Sequence, residues 1–315
     1  QRVLDKAQSA ALEHEGCVHI DDALLDEVTA LVEWPVPVVG SFADHFLELP
    51  SEVLISTLQE HQRYFPIHKK DGGLTNKFIT TSNLESTDPE QVRLGNERVV
   101  LPRLSDAAFF WEQDLKHAPE SLIPALDLVV YQQGLGSLKD KSERVAELGG
   151  VIAESLIESC FDVQRAALLS KTDLVTEMVG EFPDLQGRMG FYYASHAGEK
   201  AEVAEAINEQ YLPRYAGDAL PATSDGQALS IADRLDTLAG IFALGKRPSG
   251  SKDPFALRRL ALGLVRILIE AQIDINLIDA IEQALRLQPV DAKPETAGEL
   301  YEFIIDRLKA CLLYT

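Results

Sequence analysis

The sequence predicts an α+β chain, with a mixed α/β segment over residues 1–128 and a mostly α-helical bundle over residues 129–315. Two observations carry this division. In the first part, two runs rich in β-branched and aromatic residues, "YFPIH" and "KFITTSN", flank the turn signal "KKDGG". From about residue 131 onward, apolar residues recur almost everywhere at the 3.6-residue period of an amphipathic helix. The change of character places the domain boundary between Pro119 and Gly136, and 315 residues suit about two domains.

In chain order, Val3 to Glu15 reads as a helix broken at Gly16, and a second helix follows with Asp21 or Asp22 as its N-cap. "WPVPVVGSF" is extended, because Pro35 and Pro37 exclude helix. "SEVLISTLQEHQRYFPIHK" passes from helix into the first arm of a β-hairpin closed by residues 69–73. In "GNERVVLPRLSDAAFFWEQDL" the second half is predicted to be helical from Ser105 as N-cap. Helices then follow over "SLKDKSERVAELGGVIAESLIESC", "FDVQRAALLSKTDLVTEMVGEF", "KAEVAEAINEQYL" and "DPFALRRLALGLVRILIEA". For the last, Asp253 is the expected N-cap and Pro254 the first helical residue. "LPATSDG" and "GKRPSGSKD" separate helices.

The chain carries 50 acidic residues against 29 Lys and Arg, a formal charge of −21. On average such a surface repels nucleic acid, so any anion-binding role must come from a local reversal of sign. Cys17, Cys160 and Cys311 lie far apart with no CxxC partner, which argues against a zinc site or a disulfide scaffold and fits a reducing cytoplasm. Cys160 is expected on an apolar helix face as packing. No run of 18 apolar residues is present. The absent initiator Met and the ending "KACLLYT" read as an internal fragment of a longer protein.

Candidate chemistry is sparse. "SIADRLDTLAGIF" holds Asp233 and Asp236 three apart on one helix face, with Asp173 in "KTDL" on an earlier segment. Three carboxylates can hold a hard divalent ion. The supporting histidines are missing, since His196 in "ASHAGEK", a predicted loop, is the one histidine after residue 131. Capping or salt bridging inside the bundle is therefore the favoured reading of the acids. "GLGSLKDK" places two glycines before a helix whose amides can meet a phosphate; a simple turn explains it equally well. The window from Lys246 to Arg266 reverses the overall charge, with Lys246, Arg247, Lys252, Arg258, Arg259 and Arg266 against Asp253 alone. It ends at a helix N-terminus, which suits phosphate; a solvated loop with arginines paired to neighbouring acids is the alternative. In "EHQRYFPIHKK", His61, Arg63, His68, Lys69 and Lys70 interleave with Tyr64 and Phe65. Such interleaving can bind looped RNA, although Phe65 is better read as core and Tyr64 stays open.

Taken together, "EHQRYFPI", "GNERVVLPRLSDAAFFWEQD", "YQQGLGSLKDK", "AALLSKTDLVTEMVGEFPDLQGRMGFYYA", "ALSIADRLDTLAGIF" and "GSKDPFALRRLALGLVRIL" resemble the β-subunit family of bacterial glycyl-tRNA synthetase. They occur in the family's order and spacing from about residue 34 to 270. The resemblance implies the middle of a longer chain, without its N-terminal part and its anticodon-binding region. It implies an assembly of two α and two β chains that joins glycine to tRNA(Gly) in the cytoplasm. ATP and Mg²⁺ would be used by the α subunit, and this fragment would contain no catalytic residue. It implies that the helical part is similar to the HD phosphohydrolase superfamily, whose active members bind metal through a His, a His-Asp pair and a distal Asp. "ADRLDTL" puts Asp233 at the distal position. "LLSKTDL" lacks the His and leaves Asp173 as the one remnant of the pair, so no metal and no hydrolysis are expected. The mixed segment resembles the B3/B4 module of the phenylalanine enzyme's β chain. The expected tRNA contacts are Arg63, Lys246, Arg247, Lys252, Arg258 and Arg259. A metal-dependent phosphohydrolase using Asp173, Asp233 and Asp236, and a pure assembly scaffold for the α subunit, are the alternatives.

Overall fold

The computed structural model describes residues 1–156, 160–250 and 252–313, with side chains as far as Lys309. The expected helix over Ile157, Glu158 and Ser159, and the side chain of Cys311, lie outside the described residues. The chain is α+β and divides into two compact units, Gln1–Asp114 with Glu181–Leu185, and Leu115–Gly180 with the described residues from Gln186 onward.

The first unit is built on a four-stranded antiparallel sheet of order β1-β3-β4-β2, comprising β1 (Gly16–Val18), β2 (Val36–Ser41), β3 (Phe65–Lys69) and β4 (Leu74–Ser82). The expected β3–β4 hairpin is present, with Gly72 N–H donating to Lys69 C=O across its turn. Alternation sends Phe65, Ile67 and Ile79 to one face, where they pack with Val3, Ala7 and Ala11 of α1 (Arg2–Glu13) and Val28 of α2 (Asp22–Leu31). Asp21 caps α2 as predicted, accepting from the Ala23 amide at 2.8 Å. Gly16, expected only to end a helix, also opens strand β1, where a Cβ would collide with Ile67 and the His68 carbonyl.

Phe78, from the opposite face of β4, stacks on Tyr64 with ring centroids 5.0 Å apart. Tyr64 follows α3 (Ser51–Gln62), and its hydroxyl donates to Asn96 on α4 (Pro89–Asp114). Helix α4 corrects the expected start at Ser105, since it begins at Pro89 and runs through Pro102. The buried stripe Val100, Leu104 and Ala107 crosses the proline without a break, so packing outweighs the lost backbone bond. Ser105 Oγ donates back to the Leu101 carbonyl inside the helix and caps nothing.

In the second unit a short hairpin, β5 (Val130–Gln132) with β6 (Gly136–Ser137), lies between the first helix and the others. In chain order from residue 119 these are α5 (Pro119–Leu126), α6 (Leu138–Ala153), α7 (Phe161–Leu169), α8 (Glu177–Glu181), α9 (Arg188–His196), α10 (Ala201–Glu209), α11 (Ser224–Ala243), α12 (Leu257–Glu270), α13 (Leu277–Arg286) and α14 (Thr296–Leu313). Helix α11 is the axis, packed by α6, α7, α10, α12, α13 and α14. Its Ile231, Leu235, Leu238 and Phe242 are buried as the 3.6-residue pattern requires. Gly240 lets Leu135 and Gln288 approach so closely that a Cβ would sit 2.7 Å from each.

Three local expectations change here. The stretch from Phe161 to Phe182 is not one helical run; it breaks after α7 into a 3-10 turn at Thr172–Val175 and the short α8. Cys160 is the N-cap residue of α7 rather than a member of a helix face, and is partly buried against the bundle core. His196 closes α9 and does not lie in a loop.

Candidate functional site

The two acids on α11 are not a solvated pair. Asp236 is 1% exposed and sits opposite Lys141 and Arg144, three apart on the buried side of α6. Arg144 Nε donates to Asp236 Oδ1 at 2.7 Å, Gln288 Nε2 to the same oxygen at 3.0 Å, and Lys141 Nζ to Oδ2 at 3.0 Å. Arg144 also donates to the Leu135 carbonyl, and Lys141 to Thr237 Oγ1 at 2.9 Å. Burying ions costs more than their attraction returns unless nearly every donor and acceptor is used; both Asp236 oxygens are used, and Gln288 Oε1 beside them is the one atom of the Asp236, Lys141, Arg144 and Gln288 cluster without a partner among the described residues. Burial pushes the Asp236 carboxyl up, but Lys141 and Arg144 more than reverse this and hold it below its ordinary value.

Asp233, one turn earlier, lies between two ammonium groups, Lys171 Nζ at 3.1 Å and Lys141 Nζ at 3.3 Å from Oδ1. Against the upward push of burial, these two charges hold its carboxyl well below the usual carboxylate range. Lys141, facing both acids, is raised despite its burial. Burial lowers Lys171 more than Asp233 raises it, and the neighbouring Lys141 lowers it further. Lys171 follows α7 at the 3-10 turn, donates to Gln210 Oε1 at 2.7 Å, and lies 4.3 Å from the centre of the Tyr211 ring.

Asp173 does a different job. Its Oδ2 accepts from the amides of Gly187 at 2.5 Å and Gly190 at 3.1 Å, holding the first turn of α9. Burial pushes its carboxyl up to about 6 against those amides. Among the described residues no three His, Cys, Asp or Glu side chains are grouped to hold a metal. The donor set also fits a divalent ion poorly, because two ammonium groups already neutralise Asp233 and would repel a cation there. The reading of Asp173, Asp233 and Asp236 as a hydrolytic centre finds no support in this geometry.

The basic window forms one exposed loop and much of α12, where Arg266 pairs with Glu270 at 2.7 Å and donates to the Asp218 carbonyl. Lys246, Arg247, Lys252 and Arg259 are exposed and Arg258 half-buried. The Lys246 ammonium lies 5.4 Å from the Phe255 ring centre, and Arg247 makes a two-pronged pair with Glu299. Ser249 and Lys252 exchange backbone hydrogen bonds, and Arg258 Nη2 donates to the Gly250 carbonyl at 2.7 Å, which closes the loop. Asp253 is not the N-cap residue. Ala256, in the left-handed region at φ 53°, starts the helix, and Pro254 lies outside it. The Asp253 carboxylate still reaches over to accept from the Leu257 and Arg258 amides, both at 2.9 Å. Those amides are therefore occupied, so any phosphate contact in this loop would fall to side chains.

Two other sequence candidates are engaged locally. Arg63, in the left-handed region at the C-cap of α3, pairs with Glu27 at 2.7 Å and donates to the Gln59 and Glu60 carbonyls. Tyr64 and Phe65 are both buried, so the aromatics of that cluster are core and offer no stacking surface. In "GLGSLKDK", Ser137 and Asp140 form a capping box on α6 that takes up the amides of both residues. Sequence reasoning missed Lys141, Arg144, Lys171 and Gln288. A signal was present for the first two: two cations three apart on the apolar side of one helix, matching two acids three apart on another.

A sequence model of the family described as glycyl-tRNA synthetase beta subunit matches residues 1–314. The chain belongs to that family. It is 52% identical to the glycine–tRNA ligase beta subunit of Stutzerimonas stutzeri over 309 residues, 98% of this chain and 45% of the relative. It is 53% identical to that of Pseudomonas fluorescens over 97% of this chain and 45% of the relative. For that of Aeromonas salmonicida the identity is 49%, over 96% of this chain and 44% of the relative. The chain therefore spans a little under half the length of these beta subunits, and no described helix is long and apolar enough to cross a membrane.

Proposed function

We propose that this chain is the portion of a glycine–tRNA ligase β subunit that carries tRNA contacts and helps assemble the enzyme. In this reading the complete enzyme has two α and two β chains and works in the cytoplasm. The α subunit forms the glycyl adenylate with ATP and Mg²⁺. The β chain presents tRNA(Gly) and contributes no reacting group from this portion. Its helical unit is an HD-like bundle in which lysines stand beside Asp233. The observation that carries the tRNA role is the exposed basic loop from Lys246 to Arg259 in a chain of net charge −21. Lys252 and Arg259 are its best placed contributors, being exposed and outside the loop's own side-chain bonds, whereas Arg247 and Arg258 also hold structure.

The test is steady-state aminoacylation by the complete two-subunit enzyme carrying Lys252→Glu and Arg259→Glu. The KM for tRNA should rise about tenfold, with glycine-dependent ATP–pyrophosphate exchange unchanged, since only the phosphate-neutralising charge is altered. An unchanged KM for tRNA defeats the assignment. A pure scaffold role draws on the exposed apolar residues Leu128, at 86%, and Val130, at 73%, beside the β5–β6 hairpin. Leu128→Asp with Val130→Asp would then weaken copurification of α and β while leaving tRNA affinity of the assembled enzyme intact.

A further inference from the structure

The buried charges around Asp233 border a pocket of about 400 Å³ in the second unit, within the size range of small-molecule sites. Asp233, Lys141 and Lys171 reach its lining, and the remaining wall is largely aromatic and aliphatic, including Tyr131, Tyr211 and Phe255.

The charge there does not balance. Asp236 is matched by Arg144, which leaves the single carboxylate of Asp233 between two ammonium groups. Arg234, one residue on, is buried and adds a further cation, with its Nη groups bonded to the Gln210, Ser230, Tyr211 and Pro213 carbonyls and the Ser230 hydroxyl. Asp173, buried and interacting with Lys171, offsets one of these charges, which leaves the four cations Lys141, Arg144, Lys171 and Arg234 against the three carboxylates Asp173, Asp233 and Asp236. A buried excess of positive charge is costly unless an anion accompanies it.

The hydrogen-bond inventory gives the anion a place. Lys141 has acceptors for all three protons, in the Asp233 carbonyl, Asp236 and Thr237. Among the described residues, Lys171 has Gln210 Oε1 and the ion pair with Asp233, and beyond these only the face of the Tyr211 ring. Asp233 Oδ1, though within ion-pair reach of both lysines, accepts no well-aligned hydrogen bond among the described residues, so it can take one from a ligand hydroxyl.

We propose that this pocket binds a small phosphomonoester, with the phosphate on the Lys171 ammonium and a planar or apolar remainder between the aromatic walls. A carboxylate and two ammonium groups at the floor, with aromatic sides, fit a molecule that carries an anion, a hydroxyl and a ring. Adenosine 5′-monophosphate is such a molecule, and inorganic phosphate carries the anion alone. The site borders the exposed loop assigned to tRNA, sharing Phe255 as a wall, but its two ammonium groups come from outside that loop.

The experiment is calorimetric titration of the full-length β chain, without α so that the adenylate-forming subunit contributes no nucleotide site. Adenosine 5′-monophosphate and inorganic phosphate are the two probes. At least one should bind with one-to-one saturation, and binding should weaken at least tenfold in Lys171→Gln. A tighter monophosphate identifies a nucleotide-like ligand, and equal affinities identify free phosphate; either outcome supports the site. Leu174→Trp fills the pocket while leaving both lysines in place, and should abolish binding in a protein that still melts cooperatively. It decides the matter should Lys171→Gln fail to fold. No saturable binding of either probe up to millimolar concentration, or saturation unaltered by both substitutions, overturns the proposal.

Discussion

Two charged regions of the helical unit use the same residue types to opposite ends. On α11 and α6, Asp233, Asp236, Lys141 and Arg144 are withdrawn from water and hold helices together. In the loop from Lys246 to Arg259, most of the cations stay in water and are open to a partner. The difference is solvation. A charge removed from water must be matched atom by atom, so its neighbours become structural. A charge left in water contributes little to stability and remains available for long-range attraction.

The sharpest way to break this contrast is Asp236→Ala. It leaves Lys141 and Arg144 buried without their carboxylate and should cost about 3–5 kcal/mol in urea unfolding of the full-length chain. A loss below about 1 kcal/mol would mean that water reaches the cluster and that the two regions are alike. The next effect depends on pH. Asp233 and Asp236 titrate below their ordinary values when folded, so the stability they contribute is present above pH about 4 and is lost as pH falls through the folded values. Asp173 has the opposite sign. Its folded carboxyl, at about 6, holds a proton more tightly than the unfolded one, so its contribution declines as pH rises from about 4 to about 6. That decline is on the order of 3 kcal/mol. Asp173→Asn should flatten the stability profile in this window and leave the acid limb below pH about 4 in place.

Smaller effects separate true caps from apparent ones. Ser137→Ala removes half of a capping box and should lower stability by about 1 kcal/mol. Ser105→Ala, at a position that looks like a cap in the sequence, should change it by less than about 0.5 kcal/mol because the helix runs through it. Lys252→Glu with Arg259→Glu should be similarly silent in unfolding. A large destabilisation there would move the loop into the structural class.

What the sequence revealed follows the range of each interaction. Local devices were legible: Asp21 as a cap, the turn at residues 69–73, and the apolar stripe of α11. Helix α4 was misjudged because a proline forbids one backbone bond but does not decide a helix whose buried stripe continues past it. The α12 start was displaced because a left-handed Ala256 let Asp253 cap from outside the usual position. The charged interior was only half legible. Asp233 and Asp236 stood out as a pair, but Lys141 and Arg144 lie 95 and 92 residues from Asp236, and no periodicity links them. Lys171 lies inside the "KTDL" motif, but no local pattern distinguishes a lysine buried by distant packing from a solvated one.

The central claim is that the exposed loop, and not the buried acids, meets the tRNA phosphates. It is tested most directly by the salt dependence of tRNA binding to the complete two-subunit enzyme, comparing wild type with Lys252→Glu and Arg259→Glu. The slope of log Kd against log salt should become shallower by about one to two in the variant, at an unchanged melting temperature. Identical slopes and affinities in the two proteins would contradict it.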